Sequence, residues 1–283
     1  MSKVDYAKLK RQGYINQNNK EYFTVRARIQ AGNISSEQML LISEIAKNYG
    51  RGYVGLTIRL GIEIPWVRLE DLENVKVELQ KVGLAPGGTG PTVRPIVACK
   101  GSICSHGLGG TQEVCKLLDE QFFGKEVGSK FKIGIVGCPN NCAKAQLNDL
   151  GFMGQCYPKT VGSLCVECGK CVYSCKMKAI ELTDGKVQID ILKCAKCGDC
   201  TKVCPSGAIT VDKQGFVPYI GGKFGRKYRI GDRMEIVLAE DQVTEFTGKI
   251  LDFYIQNANK GERLGDLVSR VGMELIKSDL GLK

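Results

Sequence analysis

Two stretches of this chain carry the same spacing of thiols. Residues 165–175 read C-V-E-C-G-K-C-V-Y-S-C and residues 194–204 read C-A-K-C-G-D-C-T-K-V-C, each C-x2-C-x2-C-x3-C. Three thiols so close along a loop can wrap three corners of an iron–sulfur cubane, and the fourth reaches the cubane of the other run. The spacing gives two ligand sets: Cys165, Cys168, Cys171 and Cys204, then Cys194, Cys197, Cys200 and Cys175. Gly169 and Gly198 suit the tight turns, and "AIELTDGKVQID" and "AITVDKQGFV" the small strands around them. A pair of zinc sites is the competing assignment, but a repeated eight-thiolate spacing followed by Cys204-Pro205 is not zinc-like.

The block from about 157 to 214 is similar to two-[4Fe–4S] bacterial ferredoxins. It departs from them at Lys176, where the first run would usually have proline. Such a unit moves electrons one at a time and catalyses nothing, so a user of those electrons is expected elsewhere in the chain.

The chain has 283 residues and 14 cysteines, and its start, "MSKVDYAKLKRQGYINQNNKEYF", has no apolar core of the kind a secretory signal needs. No uncharged apolar run is long enough to cross a bilayer. The expectation is a soluble cytoplasmic protein without membrane insertion, whose thiols are metal ligands rather than disulfides. His106 is the only histidine, which argues against His-ligated zinc and a proximal-His haem. Forty Lys and Arg against 30 Asp and Glu give a net charge of +10 and favour an anionic partner. The cations are scattered singly, so nucleic acid is not the expected one.

Residues 1–98 hold no cysteine. There "EYFTVRARIQAG" reads as an alternating strand, and "SSEQMLLISEIAKNYG" as a helix capped at Ser35 or Ser36 and closed at Gly50. "GYVGLTIRLGIEIPWV" reads as a second strand region and "RLEDLENVKVELQKVGL" as an amphipathic helix closing at Gly83. Beyond the loop "LAPGGTGP", the strand "TVRPIVACKG" delivers Cys99, "GTQEVCKLLDEQFF" is helical, and "SKFKIGIVGCPNNC" is a strand running into a turn. "GFVPYIGGKFGRKYRIG" resumes strand and turn after the cysteine block, and two closing helices follow. The expected fold is α+β, with the cysteine block inserted into a larger domain.

Cys99-Lys-Gly-Ser-Ile-Cys104 and Cys138-Pro-Asn-Asn-Cys142 together supply four thiolates, enough for a third cluster or, as the plainer alternative, a zinc ion. Here "VRPIVACKGSIC" and "KFKIGIVGCPNNCAKAQLNDLGFMG" resemble the sirohaem-[4Fe–4S] signature of the sulfite and nitrite reductase superfamily, as do "FTVRARIQAG", "LTIRLGIEIP", "GGKFGR" and "GERLGDLVSRVG". The layout is similar to the small single-repeat type represented by the anaerobic sulfite reductase C subunit. The resemblance implies sulfite/nitrite reductase-type αβ sandwich halves. Residues 1–90 would form the ferredoxin-like half, 91–156 with 215–283 the sirohaem/[4Fe–4S] domain, and 157–214 the inserted unit. It implies a [4Fe–4S] cluster on Cys99, Cys104, Cys138 and Cys142, with Cys142 bridging to the sirohaem iron. The first pair here has four intervening residues, where many members have five.

By the same resemblance, Arg26 or Arg28, Arg94, Lys130 and Lys132 are substrate cations, and Thr57, Arg59, Asn140, Lys144 and Arg226 lie near the sirohaem carboxylates. A solvated surface charge is the bland alternative for Lys144 and Arg226. The residues agree on their own account: Arg26 and Arg28 alternate onto one face of a strand, as do Lys130 and Lys132, and paired cations suit an oxyanion. Lysines in such company can also donate protons. Cys115 and Cys156 read as buried free thiols and His106 as an ordinary loop residue.

The implied activity is six-electron reduction of sulfite to sulfide using sirohaem and three [4Fe–4S] clusters. Nitrite reduction is the runner-up, and a haem-free electron-transfer or assembly subunit the alternative of another class. No G-x-G-x-x-G opens a βαβ unit, so electrons are expected from a donor protein such as ferredoxin. Since the larger reductases hold two repeats and this chain has room for one, a homodimer or homologous partner is expected to complete the site.

Overall fold

A computed structural model describes residues 4–282. The chain opens with helix α1 (Tyr6–Arg11) and strands β1 (Tyr14–Asn16) and β2 (Tyr22–Ala27), then helix α2 (Ser36–Tyr49), strands β3 (Gly55–Leu56) and β4 (Ile62–Arg68) and helix α3 (Leu72–Gln80). The four strands make an antiparallel sheet in the order β1-β2-β4-β3. β2 alternates half-buried and buried, putting Phe23, Val25 and Ala27 under the helices and Arg26 on the other face. Ser35 caps α2 in a capping box: its Oγ accepts from the Gln38 N–H at 3.1 Å, and its own N–H donates to Gln38 Oε1 at 3.0 Å. The second strand region breaks into two strands because Thr57–Gly61 form a tight turn with Leu60 in the left-handed region, and Arg59 sits on that turn.

The second layer follows: β5 (Val97–Ala98), α4 (Thr111–Phe122), β6 (Ile133–Val136) and β7 (Leu150–Thr160). Then come α5 (Lys170–Ser174), β8 (Ile180–Thr183), β9 (Lys186–Ile189), α6 (Asp199–Val203), β10 (Ile209–Ile220) and β11 (Asp232–Arg233). The closing helices are α7 (Gln242–Asn257), α8 (Leu264–Val271) and α9 (Met273–Asp279). They number three rather than two, because Gly272 takes φ +83 and breaks the last apolar stretch. The sheet order is β11-β10-β7-β6-β5, with β5, β6 and β7 parallel and β10 antiparallel to β7. All four residues of β6 are buried, as expected for a central parallel strand covered on both faces. Phe131, Ile133, Phe152, Phe216, Ile250 and Tyr254 are among the core residues that close over it.

The eight-cysteine block hangs from the β7–β10 hairpin. The two strands pair from Leu150↔Ile220 out to Thr160↔Ile209, with one bulge between Val211 and Lys213. The ends of the intervening segment are therefore cross-strand neighbours, the geometry in which an insertion leaves its host undisturbed. β7 and β10 run as continuous strands past positions 157 and 214, so the host sheet itself extends into the block. Inside it, β8 and β9 form a hairpin over a small core that includes Ile180, Val187 and Ile209. Among the described residues no helix is long and apolar enough to cross a membrane.

Candidate active site

The parallel strands β5 and β6 end side by side, and each leads into a cysteine. The Cys99 N–H donates to Ile135 O at 3.0 Å, and the Gly137 N–H donates to Cys99 Sγ at 3.1 Å. Cys104 follows a single helical turn after Cys99, and Cys142 follows the Pro139–Asn141 loop. Close backbone approach makes this possible: a Cβ on Gly107 would lie 1.9 Å from Gly101 O. Burial pushes the Cys138 thiol up, and the neighbouring Cys99, Cys142 and Cys104 push the same way. Four sequence-distant thiols are thus one electrostatic group.

These four thiols line a cavity of about 590 Å³ together with Arg59, Lys100, Lys132, Asn140, Lys144 and Asn148. Ile58, Leu60, Val97, Ala98 and Phe224 form its apolar walls. Ile58 is 96% exposed and Phe224 57%, large apolar surface of the kind that marks a ligand-binding groove. Arg59 donates to Asn148 Oδ1 and Pro95 O, each at 2.9 Å, yet its buried Nε has no partner. The buried Nε of Arg94 is likewise unpartnered. Burial lowers Arg59 to about 10, with Arg94, Arg26 and Arg263 pushing the same way and Asp149 opposing. Burial brings Lys132 down to about 8, helped by Arg59, Arg263 and Lys130. Lys130 and Arg94 are also lowered, burial being the main cause in each. Cations crowded this closely favour an anion between them.

The expected site residues divide. Arg59, Asn140, Lys132 and Lys144 line the cavity with the four thiols. Lys144 is left-handed at φ 52, and its carbonyl accepts from Asn148 Nδ2 at 3.0 Å. Arg94 and Lys130 do not line it but belong to the same cationic group; Arg94 donates to Gly88 O at 2.8 Å and Lys130 is exposed. Arg26 pairs across the sheet with Glu63 at 2.5 Å. Thr57 holds the overhanging turn, its Oγ1 accepting from the Gly61 N–H at 3.0 Å. Arg28 goes elsewhere: it pairs with the buried Asp119, stacks 3.7 Å over Phe123, and lines a separate cavity of about 450 Å³. Arg226 is exposed and outside the cavity, although nearby Phe224 is in its wall.

Sequence reasoning missed Lys100 and Asn148 in the wall and the buried pair behind it. Arg263 donates through Nε to Asp149 Oδ1 at 2.9 Å and through a terminal nitrogen to Oδ2 at 2.6 Å. The Lys132 N–H donates to Asp149 Oδ2 at 2.8 Å. The signal was present, since Asp149 lies in "QLNDLG" and Arg263 in "GERLG", but nothing in either string says that they meet.

In the insertion, Cys175, Cys194, Cys197 and Cys200 line a cavity of about 150 Å³, and Cys165, Cys168, Cys171 and Cys204 a smaller one of about 10 Å³. The loops repeat in backbone too: Gly169 and Gly198 are left-handed at φ 69 and 73, and Glu167 and Lys196, at equivalent places, at φ 53 and 58. The larger cavity also touches Cys138, Pro139, Asn140 and His106, so this thiol set abuts the active-site loop and the other lies beyond it. Cys156 is buried behind the nearer set, and burial raises its thiol; Cys115 is buried in the core and raised to about 12.

The family models agree with this geometry. The nitrite and sulphite reductase 4Fe-4S domain matches residues 89–283, and the nitrite/sulfite reductase ferredoxin-like half domain matches residues 15–82. The chain belongs to the sulfite and nitrite reductase superfamily. It is 34% identical over 255 residues to the coenzyme F420-dependent sulfite reductase of Methanocaldococcus jannaschii, covering 89% of this chain and 41% of that one. It is 31% identical over 176 residues to the C subunit of the anaerobic sulfite reductase of Salmonella typhimurium, covering 55% and 50%. The chain thus spans half or less of these two relatives. A crystal structure of dissimilatory sulfite reductase I superposes with a TM-score of 0.75 at 21% identity, over 93% of this chain and 69% of that one, a likeness of fold. Family membership makes this an oxidoreductase with an α+β fold of sulfite/nitrite reductase type.

Proposed function

We infer that the chain is the sirohaem- and iron–sulfur-bearing reductase component that takes sulfite to sulfide in a six-electron reduction. The observation that carries this is one cavity uniting Cys99, Cys104, Cys138 and Cys142 with Arg59, Lys132 and Lys144. The residues suit the groups. Four thiols around a cavity wall suit a [4Fe–4S] cluster, and the insertion's two thiol sets suit two more. The unpartnered Arg59 Nε, exposed amide and ammonium groups and apolar walls suit a carboxylate-rich macrocycle. Arg59, Asn140 and Lys144 would hold its carboxylates, and Cys142 would be the thiol that holds both it and the cluster. Bound there, the sirohaem and clusters supply the iron that takes the substrate and the electrons that reduce it.

The chain's own residues bind and protonate. Lys132, Lys130 and Arg94 attract the oxyanion and oppose charge building on it. Each oxygen leaves as water and needs protons, and a Lys132 ammonium whose pKa is near 8 gives one up more readily than an ordinary lysine. Electrons come from a donor protein such as ferredoxin, and a second copy or a homologous partner completes the substrate side, in keeping with a relative that is itself named as a subunit. The same cations would serve nitrite, the alternative substrate in a family named for both.

The test is an anaerobic ultraviolet-visible spectrum and iron assay with rates for each anion. Full iron loading without a sirohaem band refutes the reading; a faster nitrite rate replaces sulfite. Cys142→Ser should lose the haem-coupled spectrum while the insertion keeps its clusters, and retained sulfite reduction would refute its bridging role.

A further inference from the structure

The two cysteine runs differ just past their fourth thiol: Cys204 is followed by Pro205, Cys175 by Lys176-Met177-Lys178. That tripeptide is fully on the surface, with Met177 51% exposed, and Lys176 and Met177 line the cavity of the nearer thiol set. A second segment lies against it, because the Asp190 N–H donates to Ala179 O at 2.8 Å. This segment presents Ile191 at 57% exposure, Leu192 at 98% and Lys193. Within the two segments three lysines face one carboxylate, Asp190, which already pairs with Lys193 at 3.3 Å.

The surface over the other thiol set is different. Val166 and Tyr173 are exposed there too, but Glu167 and Asp184 balance Lys170 and Lys186. A bare apolar centre ringed mainly by lysines, with Asp190 and the cavity's Asp199 in the minority, is the composition of a small, transient, electrostatically steered interface. The basic face also borders the thiol set whose cavity touches Cys138 and Asn140, so a carrier seated on it sits beside the set that adjoins the candidate active site.

We propose that Lys176–Lys178 and Ile191–Lys193 form the docking face for a small acidic one-electron carrier protein, over the cluster nearest the active site rather than the outer one. The proposal rests on the reading of the chain as a reductase fed by a carrier. Electrons pass singly from the reduced carrier, which is thereby oxidised, and no bond is made or broken at the interface.

The probe is a two-[4Fe–4S] ferredoxin of net negative charge, titrated against the anaerobic holoenzyme at low and high salt. K178E/K193E should weaken its binding about fivefold or more at low salt and flatten the salt dependence, while K170E/K186E leaves both unchanged. Equal loss in the two variants, no loss in the first, or no binding to the parent protein overturns the proposal. So does a parent homodimer that the first variant splits, since the face would then belong to a second copy. Sulfite reduction driven by methyl viologen, a small cation that needs no docking face, should be the same in parent and both variants. Its absence in the parent protein would instead sink the reductase reading and leave the binding result standing.

Discussion

Arg263 and Asp149 are the least replaceable pair of charges behind the cavity, and the structure sets what separating them costs. The Arg263 side chain is 8% exposed and that of Asp149 0%. Burial pushes the Asp149 carboxyl up, and the two Arg263 bonds together with the Lys132 N–H pull against that rise. Arg263→Met removes both charge-assisted bonds, each worth about 1.5–3 kcal/mol, and leaves a buried carboxyl with one donor. Breaking one partner out of a buried pair costs about 3–5 kcal/mol. With a urea slope on the order of 3 kcal/mol per molar, the unfolding midpoint of the anaerobic holoprotein should fall by about 1–1.7 M. Replacing both partners, as in D149L/R263M, should recover most of the loss, because the cost lies in the orphaned charge. A single variant costing under about 1 kcal/mol, or a double variant as unstable as the single, would refute the reasoning.

Lys132 should write a pH limb into the kinetics. Its ammonium is depleted as pH rises through about 8, so kcat/KM for the anion should fall above that pH, and Lys132→Arg should move the limb upward while preserving anion attraction. In stability the sign is opposite. An unfolded lysine holds its proton to about 10.4, so between the two pKa values the unfolded chain binds more protons and stability rises with pH, a rise Lys132→Met abolishes. Gly198 and Gly207 separate strain from collision. Both are left-handed, at φ 73 and 72, but a Cβ on Gly198 meets Cys156 Sγ at 2.9 Å whereas Gly207 has open space. Gly207→Ala should cost about 1–2 kcal/mol by unfolding, and Gly198→Ala more, together with iron lost from the nearer thiol set; equal effects would refute the packing argument.

Local signals were the ones the sequence displayed. The cysteine spacing, the Ser35 cap and the alternation of β2 are each written within a dozen residues, and the structure brings the four outlying thiols into one cavity because two strands lead into Cys99 and Cys138 in parallel register. Side-chain destination is not written that way. Arg26 and Arg28 alternate in the sequence as if on one strand face, but β2 ends at Ala27: Glu63 lies across from the first, and the buried Asp119 of α4 captures the second, 91 positions away in sequence. Arg263 and Asp149 are 114 apart, and each looks like any surface charge until the fold closes over them.

The same long-range pairing explains how the eight-cysteine insertion can be hung on its host domain without loosening either. Its ends are cross-strand partners at Thr160 and Ile209, and two further ties fix its orientation. Cys156 and Cys197 form a parallel bridge in which the Cys156 N–H donates to Lys196 O at 2.8 Å, and Lys202 Nζ reaches Ser105 O at 3.3 Å. Ser105 directly follows Cys104, so the last tie joins the insertion to the active-site loop itself. A flexible tether would leave the thiol sets at varying separations; these ties hold the nearer one against Cys138 and Asn140, the arrangement that the proposed electron route requires.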